Sequence, residues 1–184
     1  MGPALRRALI VCMTLELTAL GTWVGGLIVL VGSVIPAVFN TFGGQDSGGF
    51  FLTRSFEGYN RLVLIALTIL VLGIFGRAWF QQRGLSQCRV TRIEWIVLGL
   101  MAIMAGVIIF VLHPQAAALQ AAAFALPGGD AKKAALEAFF KLHWPMRALY
   151  VANLGLGIVL IGIRVRSWIG SDEANDRVRE NHGW

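Results

Sequence analysis

The chain has 184 residues, of which 57% are hydrophobic and only 14% charged, with a formal net charge of +6. A water-soluble domain of this size needs more polar surface, so the composition points to an integral membrane protein. The basic residues lie at the ends of apolar runs and not in a stripe interleaved with aromatics, which sets nucleic acid aside as a partner and fits the lipid bilayer with its anionic headgroups.

The N-terminal MGPALRRAL resembles the start of a secretory signal. Its apolar region continues to Phe39 with no small-x-small cleavage site, so it reads as an uncleaved first span over about 9–39. Within it, Leu17–Phe39 carries no charge and is the length of a membrane-crossing helix. Gly21, Gly25, Gly26 and Gly32 fall inside that run, and such small residues let a second helix approach closely. Glu16 has two readings. If the helix enters the membrane near Leu9, the carboxylate lies roughly 10 Å deep, which is costly and suggests function. If it enters at Leu17, Glu16 caps the helix at the interface, which is the blander and favoured reading.

Residues 40–60 are glycine-rich and then amphipathic. Phe50, Phe51, Phe56 and Tyr59 oppose Arg54, Glu57 and Arg61, the pattern of an interfacial segment. The second span covers about 62–80 and ends in Arg77 and Trp79. A basic loop with Arg83, Arg89 and Arg92 follows, and the third span covers about 93–112. Gly99, Ala102 and Gly106 define a small-residue face that His113 continues. Residues 114–142 are alanine-rich, broken by Pro127-Gly128-Gly129, and predict helices lying along the membrane surface on the outer side. The fourth span covers about 144–168. The domain thus occupies 1–170, followed by a polar, flexible tail over 171–184.

The fold class expected is all-α, a four-helix transmembrane bundle with amphipathic helices on the outer side. Eight arginines flank the spans on the side of the termini and six basic residues on the other, which points to cytoplasmic termini in a multi-pass protein of a bacterial inner membrane. Cys12 and Cys88 form no CxxC pair and read as ordinary reduced thiols.

Several short patterns occur in order along the chain: Trp23-Val24-Gly25-Gly26, Pro36-Ala37-Val38-Phe39, Phe50, Phe56-Glu57-Gly58-Tyr59-Asn60-Arg61, and Phe140-Lys141-Leu142-His143 ahead of Asn153. Together they resemble the bacterial four-helix membrane proteins of unassigned function related to eukaryotic transmembrane protein 205, over nearly the whole chain. That family is distantly similar to copper-resistance protein D and to four-helix haem-dependent membrane oxidases, and its eukaryotic relatives are associated with cellular export of, or resistance to, platinum drugs. The resemblance therefore implies a role in membrane homeostasis, in small-molecule or metal resistance, or as an accessory subunit. Glu16 departs from the family's pattern, and the chain carries no Met/His/Cys-dense copper motif.

Two groups of residues are candidate sites. His113 and His143 sit at the outer ends of the third and fourth spans, where neutral imidazoles can ligate haem iron, copper or zinc. They can equally hydrogen-bond at headgroup level. The second group is a polar cluster of Glu57, Tyr59, Asn60, Arg147, Tyr150 and Asn153, with Glu57 as the expected partner of Arg147. It reads either as a pocket for an anion or small amphiphile, which a transporter would use, or as a register-fixing hydrogen-bond network. No phosphate loop, Ser-His-Asp set or metalloprotease helix is present, so nothing indicates an enzyme. Other membrane subunits, or a second copy docked through small-residue faces, are the expected partners.

Overall fold

A computed structural model describes the backbone of residues 3–43, 46–82 and 90–181, and the side chains of 7–43, 46–82 and 90–167. Cys88, Arg83 and Arg89 lie outside the described residues. The elements run α1 (Pro3–Val29), a wide π-turn (Leu30–Val34), α2 (Ile35–Phe42), α3 (Asp46–Gln82), α4 (Arg92–Val107), a second π-turn (Ile108–Leu112), α5 (His113–Ala125) and α6 (Asp130–Asn181). The described residues hold no strand. Four helical stretches are long and apolar enough to cross a membrane: Arg7–Phe42, Asp46–Gln82, Arg92–Ala125 and Asp130–Ser167. The all-α, four-span architecture follows from the sequence as expected, and the polar stretch beyond 171 continues α6 as far as Asn181.

Local chemistry sets the ends of these helices. Gly43 closes α2 in a left-handed conformation (φ 57°), donating its N–H to the Phe39 carbonyl at 2.9 Å. Thr91 opens α4 with a capping box: its hydroxyl accepts from the Glu94 N–H, and the Glu94 carboxylate accepts from the Thr91 N–H, both at 3.3 Å. Gly128 and Gly129, both at positive φ, turn the chain from α5 into α6.

The two π-turns precede Pro36 and Pro114. A proline ring collides with the carbonyl four residues earlier and offers no N–H. The carbonyls at risk are those of Gly32 and Phe110, and both fall inside the wide turns. There the ladder shifts to i→i−5, with Ile35 N–H donating to Leu30 O and His113 N–H to Ile108 O.

We call proximal the end where α1 begins and α3 stops, and distal the end where α2 closes at Gly43 and the chain turns at 126–129. α1 packs along α3, α4 along α6, α5 on α6, and α1 on α6. Leu20, Leu70, Ile74, Met101 and Leu160 are fully enclosed at the centre. Lipid tails are as apolar as these side chains, so the assembly rests on close packing and polar contacts more than on water exclusion.

Each spanning stretch has 34 to 38 residues, hence about 50 to 57 Å of helix against a hydrocarbon layer of about 30 Å. The exposed Arg147 and Arg166 bracket about 28 Å of α6, and the exposed Arg61 and Gln81 bracket about 30 Å of α3. The surplus therefore stands on the distal side, where exposed Phe39, Phe50, Phe51, Phe140 and Trp144 suit the headgroup layer. Here the structure refines the expectation: the distal amphipathic helices are present, but they continue the spans instead of lying flat. The apolar faces of α5 and early α6 pack against each other, with Ala116 and Ala123 buried.

Candidate functional site

The distal surplus encloses a cavity of about 850 Å³. α1, the first π-turn and α2 supply Leu27, Val31, Val38 and Phe42; α3 supplies Asp46, Thr53 and Phe56; α5 supplies His113, Ala117, Gln120 and Phe124; α6 supplies Phe139, His143, Arg147, Tyr150 and Leu154. The wall is mainly aliphatic and aromatic, with a few polar groups, as in sites for small molecules and cofactors. α3 and α5 seal one side. A methyl group at Gly49 would lie 2.7 Å from Gln120 Nε2, and Thr53 donates its hydroxyl to Gln120 Oε1. Lys132 reaches Asp46 at 3.0 Å across the distal end, and Phe50 meets Phe124 edge-on at 5.0 Å. The remaining side is a slot between α1–α2 and α6, whose rim residues Ile28, Val31, Phe39, Phe140, Arg147 and Val151 are exposed.

His113 and His143 both line this cavity and are half-buried, so the sequence-derived pair does share a space. His143 meets Phe139 at a tilt of 54°, with 4.3 Å between ring centres. Among the described residues, no three of His, Cys, Asp and Glu come together as metal ligands, so a haem or metal would have this pair alone.

The polar cluster is brought together only in part. Tyr150 donates to Asn60 Oδ1 at 3.1 Å, Tyr59 to the Trp23 carbonyl at 3.0 Å, and Asn153 to the Met101 carbonyl at 3.3 Å. These four residues tie α1, α3, α4 and α6 together beneath the cavity floor. The expected Glu57–Arg147 pair does not form. Glu57 is held by its own helix neighbours Arg54 and Arg61, at 2.8 and 2.7 Å, because i,i+3 and i,i+4 partners are nearer than another helix. Arg147 faces outward on the slot.

The glycines expected to carry close packing are corrected likewise. A methyl group added at Gly21, Gly25, Gly32, Gly99 or Gly106 would meet no heavy atom within 4 Å, so these are not points of close approach. Gly26 alone of the set packs tightly, with Tyr59 at 3.2 Å. Besides Gly49, the close crossings lie at Gly157, where a methyl would come within 2.6 Å of Val24, and at Gly73, where it would enter the space of the Glu16 carboxylate.

That contact introduces what sequence reasoning missed. Glu16, Arg77, Glu94 and Arg164 meet in the proximal half, with 2%, 3%, 0% and 1% of their surfaces exposed. Arg77 Nη2 lies 2.5 Å from Glu94 Oε2, and Arg77 Nε 3.2 Å from Glu16 Oε2. Arg164 donates to Glu16 and stands 3.8 Å from Glu94. Two guanidinium groups thus neutralise two carboxylates drawn from four helices. The reading of Glu16 as a helix cap is overturned: α1 begins at Pro3, and the carboxylate is buried among the helices. Arg77 and Arg164, read as membrane-flanking charges, are also interior. One signal was available, since Thr91-Arg92-Ile93-Glu94 matches the capping-box spacing. It fixes Glu94 Oε1 on the Thr91 N–H and leaves Oε2 for Arg77.

Four apolar spans, an interior charge quartet and a cavity opening sideways define the chain as an integral membrane protein. A family model for a domain of unknown function, DUF4149, matches residues 18–125, and the chain belongs to that family. The match runs from α1 to the end of α5 and takes in Arg77, Glu94, Gln120 and His113. No curated protein and no solved structure is matched.

Proposed function

We propose that the protein binds a membrane-soluble small molecule or lipid in its distal cavity and so takes part in membrane homeostasis or small-molecule resistance, the role that the resemblance to transmembrane protein 205 implies. The cavity itself carries this reading: about 850 Å³ of largely apolar space, reached from the headgroup layer through the slot between α1–α2 and α6. A binding role accounts for the molecule better than transport across the bilayer. The proximal half is filled by the core and the charge quartet, and the chain shows no internal repeat of the kind on which many transporter folds are built.

The test is occupancy. Protein extracted in mild detergent is expected to retain a bound amphiphile detectable by native mass spectrometry. Ala117→Trp, which places an indole in the cavity, should remove most of it without loss of helicity. Absence of any bound species, with a fluorescent acyl probe binding wild type and variant alike, defeats the proposal. A second reading, haem or a metal between His113 and His143, is supported by their common cavity. It requires a haem absorbance band or stoichiometric metal in the purified protein that His143→Ala abolishes.

A further inference from the structure

Arg147 is a cation without a counter-charge at the entrance to an apolar cavity. Among the described residues no carboxylate pairs with it: Glu57 is taken by Arg54 and Arg61, Asp46 by Lys132, and Asp130 by Lys133. The exposed Trp144, one turn earlier on α6, marks the headgroup level at which such rings settle, so the guanidinium sits where lipid phosphates and carboxylates lie. Inside the cavity, Gln120 is 2% exposed. Its Oε1 accepts from Thr53 and its Nε2 lies against Gly49, so the amide belongs to the seal between α3 and α5. The group left unmatched at this entrance is thus a cation, and it calls for an anionic occupant.

We propose that the cavity selects an acidic amphiphile, an acyl chain carrying a phosphate or carboxylate, with its anionic head on Arg147 and its chain in the apolar space. This rests on the cavity being a ligand site and names the class of ligand. The slot supplies the route: its exposed rim residues Val31, Phe39 and Val151 adjoin the lipid, so a chain enters sideways while its head stays at the interface. Arg147 is the selectivity determinant. A guanidinium engages a phosphate or carboxylate through two parallel N–H donors, which the zwitterionic headgroup of phosphatidylcholine satisfies less well because its own choline competes.

The experiment uses the full chain in nanodiscs of phosphatidylcholine and phosphatidylglycerol in equal amounts, with or without palmitate. After extraction in mild detergent, the retained lipid is quantified by mass spectrometry. Wild type should retain phosphatidylglycerol, or palmitate where it is present, about fivefold over phosphatidylcholine, the preference expected for one interfacial arginine. Arg147→Gln should bring that ratio near one by lowering the retained acidic lipid, and Arg147→Lys, a point charge without the paired donors, should keep only part of the preference. Arg147 is exposed, so neither change disturbs the core. Lipid retained without charge preference in wild type overturns the acidic assignment while leaving the cavity a lipid site. A preference that survives Arg147→Gln overturns the assignment to Arg147. If inorganic phosphate alone empties the site, the ligand is a free anion, and the amphiphile proposal fails. No retained lipid in wild type, with Ala117→Trp behaving identically, removes the underlying binding reading as well.

Discussion

At the scale of single residues, the protein is dominated by four charges that its sequence presents as ordinary span ends. Arg77 and Arg164 close apolar runs, Glu94 opens one, and Glu16 interrupts the first. Their meeting is invisible in one dimension because Glu16 finds Arg77 61 positions away and Arg164 148 positions away. A buried quartet of this kind responds asymmetrically to mutation. Arg77→Ala leaves Glu94 and Glu16 short of a guanidinium and should cost about 3–5 kcal/mol of unfolding free energy in detergent. Replacing all four by apolar residues of similar volume should cost little, or stabilise by about 1–4 kcal/mol. Denaturant titration of the two variants decides it. A loss below about 1 kcal/mol for Arg77→Ala would show that water or lipid headgroups reach the quartet.

At the scale of elements, hydropathy made the four spans legible, since each needs only an uncharged run of the right length. Three features were not legible. The distal amphipathic segments satisfied their apolar faces against one another, so they extended the spans. The glycines read as packing devices are mostly open, and Gly49, Gly73 and Gly157, which no periodicity singled out, make the close crossings. The π-turns also left no trace beyond the prolines that follow them. Those prolines have a shared consequence. Pro36 and Pro114 each begin a helix that contributes to the cavity wall, α2 and α5, just after a widened turn. Restoring an N–H at both positions lets the helices regain a regular i→i−4 ladder, which turns the distal walls and narrows the space. The double variant Pro36→Ala/Pro114→Ala should therefore retain less than about half of the wild-type lipid, with unfolding stability equal or raised by about 1–3 kcal/mol. Retention unchanged alongside raised stability would show that the wide turns merely accommodate proline.

At the scale of the whole molecule, the two halves are built on opposite terms. The proximal half is closed by Leu70, Ile74 and Leu160 and locked by the quartet. The distal half surrounds open space and is held at its rim by the Asp46–Lys132 pair, a few ring contacts and the Thr53–Gln120 bond. Opening free energy within one protein follows the local density of buried contacts, so the halves should differ in hydrogen exchange. In nanodiscs of phosphatidylcholine alone, amides over 46–56 and 130–143 should exchange at least about tenfold faster than those over 66–77 and 97–105, a difference of roughly 1.4 kcal/mol in opening free energy. The lipid does not explain this by itself, because the comparison can be limited to helical amides whose hydrogen bonds lie within the same bundle. Adding phosphatidylglycerol should then slow the distal amides and leave the proximal ones unchanged, since the ligand fills the space that permits opening. Mass-spectrometric exchange reads both effects in one experiment. Uniform protection along all four helices would mean that the cavity walls are as rigid as the core. Distal slowing that persists in Arg147→Gln would mean that lipid fills the cavity without being selected by its charge.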